Sequence, residues 1–416
     1  MRKILFILFI ICGFAKNILS QNTTYLDTID NKIYQNVLFS QQKKESNEEF
    51  SKRIEQYNEN DIRVGRLNIL SKKIPNSICR FNSTYFLQIQ SLTKKMGSGV
   101  SSLINLRECD FYLDNLRMIP KYFGDLKKME RIHLLSNIKR LPQNFFELQN
   151  LYYLELCAKR MKIVSTDYEK LQNLEFLSLD GNIQRIDIHF EKLQKLRDLE
   201  IYDYKGKIIP GYRERPKRIS NDTVFTFFPD KLEDLYLEIE NVEDVPIEIF
   251  YSKSLSSIWL HNCYKLKSFI DLPINIKDTL TKIQTKKELI YLDLFNCNQL
   301  EDIEALSNFK IRNLSILGLN PKHFKNVLST LSRIESLNEV TFSYASFVNY
   351  KIPQELVDFA LRHEFCRIII EPEDEGGVEN EKIDKVINAK FHENINNIKE
   401  LANFKNIEVK YSKYDN

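Results

Sequence analysis

One apolar spacing recurs along this chain and limits what it can fold into. Nine segments place an apolar residue, a second three residues on and a third two after that. MERIHLLSN starts at Met129, LYYLELCAK at Leu151 and LEFLSLDGN at Leu174. Further copies start at Leu196, Leu232, Leu255, Leu289, Leu314 and Leu337. Most steps are about 22 to 25 residues, the length of one short strand and its return. Weaker copies flank the nine: GRLNIL, YFLQIQ and LINLREC before, FCRIII and NIEVKY after. Two steps are longer and carry inserts, one at residues 203–231 and one between about Tyr264 and Glu288. The 416 residues therefore read as an array of stacked units, and 43% hydrophobic content can fill its core.

Between these segments the chain often reads LPxxFxxL or a close variant. LPQNFFELQNL begins at Leu141, IPKYFGDLKKM at Ile119, VPIEIFYSKSL at Val245 and IPNSICRF at Ile74. On these motifs the chain resembles the leucine-rich repeat family, over roughly residues 64–344 and in degraded form to its C-terminus. The resemblance implies an α/β fold: a curved solenoid with a concave parallel β-sheet and an irregular or helical convex side. It also implies a small residue, Asn or Cys, where each strand ends and the chain turns inward. Asn137, Asn182, Cys263 and Cys297 occupy that step. Lys159, Tyr204, Lys322 and Ala345 occupy it elsewhere, so those turns should close differently. The two cysteines could also be metal ligands or a disulfide pair. Buried, reduced, structural thiols are the expectation, since no His–Cys cluster surrounds them.

The ends read differently from the array. Residues 1–20 carry Arg2 and Lys3, an apolar run from Ile4 to about Ala15, and a polar stretch ending in Ser20. That is the order of a secretory signal peptide, and the run is short for a membrane span. No later stretch is apolar enough to span. The expected location is secreted or extracytoplasmic: extracellular, periplasmic or at the cell surface. Residues 21–63 read as an N-terminal helical cap, with Phe50, Ile54 and Tyr57 at helical spacing. Residues 345–416 read as degenerate repeats and a cap. Cys79, Cys109, Cys157, Cys263, Cys297 and Cys366 follow the leader at wide spacings with no CxxC, unlike a disulfide-stapled domain. Sequons stand at Asn22, Asn82, Asn221 and Asn313.

In a strand, alternate residues face opposite sides, so the residues between the leucines form the concave face. Across the nine segments this face carries Glu155, Asp180, Asp198, Glu200, Asp234, Glu238, Asp293 and Glu339. Its aromatics are Tyr153, Phe176, Tyr202, Tyr236, Trp259, Tyr291 and Phe295, with His133 and His261 beside them. Arg131 is the one basic side chain in the nine. Aromatic residues favour strands anyway, and solvated carboxylates are ordinary. The imbalance of charge nonetheless points to a ligand face on a chain whose net charge is +3. The expected ligand-binding residues are the aromatics just named with Glu155, Asp180, Asp198, Glu200, Glu238, His261 and Asp293.

The expected partner is a basic protein or peptide, then a glycan. Nucleic acid is disfavoured on this face by its charge. The insert at 203–231 is basic, with Lys205, Lys207, Arg213, Arg215, Lys217 and Arg218 among tyrosines, which suits acidic surfaces or simple solubility. No GxSxG, HExxH, P-loop or dinucleotide-binding pattern occurs. The nearest approach to a nucleophile pair is His363 with Cys366. The chain therefore reads as a non-enzymatic secreted recognition module without cofactor or metal. The alternatives are carbohydrate binding or a structural envelope or matrix solenoid.

Overall fold

The computed structural model describes residues 26–29, 32–57, 63–207, 209–210, 228–270, 288–343, 353–371 and 406–409. The leader, most of the basic insert, the acidic stretch after Glu371 and the sequons at Asn22 and Asn221 lie outside the described residues. The chain divides into two compact units, Met1–Leu196 and Arg197–Asn416.

The first unit opens with β1 (Leu26–Ile29), antiparallel to β2 (Lys32–Ser40). Helix α1 (Asn47–Glu55) follows. The Ser46 hydroxyl accepts the Glu49 N–H and the Glu49 carboxylate accepts the Ser46 N–H, which satisfies two exposed donors at its start. Phe50 and Ile54 are buried. The segment expected as a helical cap thus holds two strands besides its helix. β2 pairs in parallel with β3 (Arg63–Ser71), placing Val37 beside Leu67 and Phe39 beside Ile69. The parallel ladder continues through β4 (Phe86–Ser91), β5 (Glu108–Leu113), β6 (Arg131–Ser136) and β7 (Tyr153–Ala158). The two-residue strand β8 (Ile163–Val164) leaves the ladder, and β9 (Phe176–Asp180) rejoins it beside β7. β10 (Arg185–Ile186) pairs with β8 in a small second sheet.

The LPxxF segments explain the returns. Pro75, Pro120 and Pro142 sit at φ −76°, −72° and −71°, each just before a short 3-10 turn. Proline is pre-set to that φ and has no N–H to leave unpaired. The turn then drives one aromatic inward: Phe123 and Phe145 are buried and stack at 6.0 Å with an interplanar angle of 8°. Asparagines link one repeat to the one before it. The Asn105 amide donates to the Asn82 carbonyl (2.9 Å), and the Asn150 amide to the Lys127 carbonyl (2.8 Å).

The second unit is built the same way. β11 (Asp198–Tyr204) pairs in parallel with β12 (Asp234–Ile239). β13 (Asp244–Pro246) leaves the ladder, and β14 (Ser257–His261) continues it beside β12. β15 (Ser268–Ile270) pairs with β13 in a small second sheet, and β16 (Glu288–Phe295) lies beside β14. β17 (Lys310–Leu317), helix α2 (Phe324–Leu331), β18 (Glu339–Ser343), helix α3 (Gln354–Arg362), β19 (Arg367–Glu371) and β20 (Ile407–Val409) follow. Each of these four strands pairs in parallel with its predecessor in the ladder.

One repeat sits in a different frame from that expected. The segment read from Leu314 begins three residues earlier, at Ile311. Leu314 pairs with Leu292 and Ile316 with Leu294, so Ile311, Leu314 and Ile316 are the core steps. Both frames satisfy the apolar spacing. Gly318 decides between them: its φ of +76° ends the strand where the later frame would need one. The turn step passes from Lys322 to Leu319, which is buried.

Phe145 tests how far each repeat depends on its neighbours. Phe145→Ala should cost about 3–5 kcal/mol, read as a fall in the urea midpoint of unfolding. A change below about 1 kcal/mol would mean that the stacked aromatics do not carry the packing of this unit.

Candidate recognition face

In the second unit, the side chains that point away from the core stand in register from strand to strand. Asp198, Asp234, Ser257 and Tyr291 make one row, and Glu200, Tyr236, Trp259 and Asp293 the next. Glu238, His261 and Phe295 make a third, with Tyr202 near its start. Between them Leu199, Leu235, Ile258 and Leu292 point inward and are buried. Twelve expected or aligned face residues are therefore neighbours on four strands.

Hydrogen bonds join these rows. The Tyr236 hydroxyl donates to Glu238 Oε1 (2.8 Å) and lies 3.2 Å from His261 Nδ1. His261 Nε2 is 3.2 Å from Asp293 Oδ2. The Tyr202 hydroxyl donates to Glu200 (3.1 Å). Ring centroids lie 4.6 Å apart for Tyr202 and Tyr236, 4.9 Å for Tyr236 and His261, and 5.9 Å for Trp259 and Tyr291. Burial, and then the neighbouring Glu238, push the Tyr236 phenol far above its usual range. Burial and Asp293 push Tyr291 up to about 12. Asp198 is pushed up to about 6, by burial first and then by Asp234, to which it is hydrogen-bonded.

In the first unit, Tyr153, Glu155 and Phe176 form a cluster of their own on β7 and β9, while Asp180 stands at the far end of β9 opposite Cys157. The Arg131 guanidinium lies 4.3 Å from the Tyr153 ring centroid, and Tyr153 stacks on Phe176 at 4.3 Å and 5°. The Tyr153 hydroxyl donates to Glu155 (3.0 Å), and His133 Nε2 lies 3.9 Å from the same carboxylate. Burial pushes the Asp110 carboxyl up, against the pull of His133 and Arg131. Arginine on this face is commoner than the nine segments suggested. Arg66 on β3 lies 4.7 Å over Phe86, and Arg367 on β19 pairs with Glu339 (2.8 Å). Both belong to strands with weak repeat signatures.

The turn positions behave in two ways. Cys263 and Cys297 are buried free thiols. The Cys263 thiol reaches the His261 carbonyl (3.3 Å) and the Cys297 thiol the Leu260 carbonyl (3.4 Å). A hydrogen bond to Cys263, with burial, holds the Cys297 thiol well above its ordinary range. Asn137 is half-buried, and its N–H donates to the Leu116 carbonyl (2.9 Å). Asn182 is exposed rather than turned inward. Gly181, at φ +152°, makes that turn instead, and the Ile183 N–H closes onto its carbonyl at 2.7 Å.

A parallel strand from each repeat, a 3-10 return and leucines at fixed steps decide the architecture. The fold is a leucine-rich repeat solenoid. No family model and no curated protein matches the chain. Among solved structures it is similar to the leucine-rich repeat protein LIC12759 of Leptospira interrogans: 15% identity over 73% of this chain and 83% of that one, TM-score 0.38. It is similar to the internalin inlF of Listeria monocytogenes, with 14% identity over 82% of this chain and 80% of that one, TM-score 0.44. It is also similar to the leucine-rich repeat ectodomain of the Arabidopsis thaliana receptor kinase GASSHO1/SCHENGEN3, solved with Casparian Strip Integrity Factor 2. There the identity is 15% over 75% of this chain and 44% of that one, TM-score 0.34.

His363 and Cys366 of this solenoid are not arranged as a nucleophile and its base. The Cys366 thiol is buried and pushed up to about 12, the reverse of what an attacking thiolate needs. The His363 ring packs on Phe359 at 4.5 Å. Among the described residues no helix is long and apolar enough to cross a membrane, and no group of three His, Cys, Asp or Glu could hold a metal. Sequence reasoning missed Asn262 and Asn296, which precede the two turn cysteines. Both are left-handed, at φ +53° and +57°. The Asn296 amide donates to Asn262 Oδ1 (2.9 Å) and the Asn262 amide to Glu238 Oε1 (3.2 Å). The repeated pair Asn-Cys was the signal, since Asn tolerates that backbone better than other side-chain-bearing residues.

The Asp198–Asp234 pair makes a pH-dependent claim. A carboxyl raised on folding contributes its stability fully below its unfolded pKa, near 4, and loses it as pH rises through about 6. Asp198→Asn should therefore gain stability relative to the parent as pH rises from 4 to 7, on the order of 1 kcal/mol after solvent screening. Urea midpoints of both proteins at pH 4, 5.5 and 7 test it; a constant difference would contradict the pairing.

Proposed function

We propose that the protein is a non-enzymatic recognition module and that the open face of β11, β12, β14 and β16 takes a basic protein or peptide segment. One observation carries this reading. Asp198, Glu200, Asp234, Glu238 and Asp293 stand among Tyr202, Tyr236, Trp259, Tyr291 and Phe295, and no open-face position of these four strands holds Lys or Arg. Aromatics supply contact area at low entropic cost, and a field of one sign steers a partner of the other. The hydrogen bonds from Tyr202 to Glu200 and from Tyr236 to Glu238 hold both kinds of side chain in one geometry before a partner arrives. The first unit fits such a partner less well, because Arg131 and Arg66 lie over its own aromatics. Export to a compartment where such partners are met rests on the leader-like residues 1–20.

The test is a capture experiment. Wild type and the triple variant Glu200→Ala, Tyr236→Ala, Trp259→Ala are matched by circular dichroism and offered the surface and secreted proteins of the source organism and its neighbours. A basic protein held by the wild type, released by rising salt and at least tenfold weaker on the variant is the expected result. Equal capture by the two baits would remove this face as the site.

A further inference from the structure

The second unit contains a cleft of about 700 Å³ that lies off the sheet face, where the turns after β16 and β17 meet the start of α2. Asn298, Gln299, Glu301, Asn320, Lys322 and His323 line it. We propose that this cleft binds an acidic sugar, a pyranose unit bearing a carboxylate.

The lining is mostly polar, with Leu319 and Pro321 as its apolar part, and much of its hydrogen-bonding capacity is unspent. Asn298 and Gln299 are exposed, and neither side chain bonds to another described residue. Asn320 Oδ1 accepts the Lys322 N–H (3.1 Å), which leaves both amide protons of Asn320 for a ligand. The Lys322 ammonium is exposed and has no ion pair among the described residues. His323 is buried, 3.6 Å from Glu301, and burial lowers its pKa, so the neutral ring offers one donor and one acceptor. Gly318 keeps the wall low: a Cβ there would stand 2.9 Å from Asn296 Oδ1.

Three features select the ligand. Carboxamides and a neutral imidazole both donate and accept, as hydroxyl groups do, so they match vicinal hydroxyls. Sulfate only accepts, and phosphate at neutral pH offers one or two O–H donors on a single compact centre, so neither matches the separated donor–acceptor pairs of Asn298, Gln299 and Asn320 as a row of vicinal hydroxyls does. No Trp, Tyr or Phe lines the cleft, so a neutral sugar has no ring to stack on. A sugar carboxylate on Lys322 supplies the missing attraction. The volume is within the range of small-ligand sites and accommodates one or two sugar units.

Isothermal titration of the whole protein tests this with three probes: a glucuronate-terminated disaccharide, its glucose-terminated counterpart and inorganic phosphate. The acidic disaccharide should bind at least tenfold more tightly than either of the others. Lys322→Ala should weaken it about tenfold and leave the neutral sugar unchanged, whereas Gln299→Ala should weaken both sugars. Trp259→Ala, on the sheet face, should change nothing, which keeps this site independent of the proposed protein-binding face. Equal binding of phosphate or of the neutral sugar would overturn the proposal. So would an unaffected Lys322→Ala variant, or no heat from the acidic sugar at millimolar concentration.

Discussion

Leu154, Leu177, Leu235 and Leu292 are buried because an adjoining repeat lies against them. A single repeat has one strand and a short return, too little to enclose its own leucines. Stacking supplies the missing wall, and parallel backbone pairing holds the stack at one strand spacing. Everything else in the molecule is arranged around that dependence. Proline starts the 3-10 returns without wasting a donor, asparagine amides tie one return to the one before, and Phe123 and Phe145 fill the space between them. Both ladders need an end, and in the first unit β1, β2 and α1 close it, with Phe50 and Ile54 turned inward.

Fixed spacing has a consequence for the open face. Side chains on neighbouring strands stand about 5 Å apart whatever their chemistry, so each row brings like beside like or unlike beside unlike. Where unlike groups meet, they attract: the Arg131 guanidinium lies over the Tyr153 ring, and Arg367 pairs with Glu339. Where like groups meet, protonation responds: Asp198 is pushed up to about 6, by burial first and then by Asp234 beside it. A cation from a partner would relieve that repulsion directly. The rows of β11, β12, β14 and β16 carry carboxylates with no Lys or Arg among them, whereas Arg131 in the first unit and Arg367 in the second already have partners on the face.

The repeat and its faces were legible in the sequence because the leucine spacing and the strand alternation are both local patterns. The fourteen residues expected to bind a ligand, from Tyr153 to Phe295, were chosen from that alternation. The pattern misled where it was degenerate. Ile311, Leu314 and Ile316 satisfy one frame and Leu314, Leu317 and Leu319 another, and only the backbone at Gly318 separates them. It also misled at Asn182, where a glycine one residue earlier took over the turn. Strands β1 and β2 were missed because LDTI and KIYQNVLFS carry no leucine skeleton, only alternation. The polar cleft could not be read at all. Asn298 belongs to one turn and Asn320 and Lys322 to the next, and their convergence depends on how the returns of adjacent repeats are placed.

Preorganisation separates the members of the open face. Tyr236, His261 and Asp293 are tied to one another and, through Glu238, to the Asn262–Asn296 turn ladder. Moving any of them disturbs several bonds, so their conformational entropy is already lost in the free protein. Trp259 differs. It touches Tyr291 only through ring packing, and its indole N–H has no acceptor among the described residues. A half-exposed indole with an unused donor, flanked by a rigid polar network, is the arrangement in which an arriving group gains both area and a hydrogen bond with little reordering. On the proposed reading, contact energy concentrates at Trp259, and the carboxylates around it would govern which partners arrive.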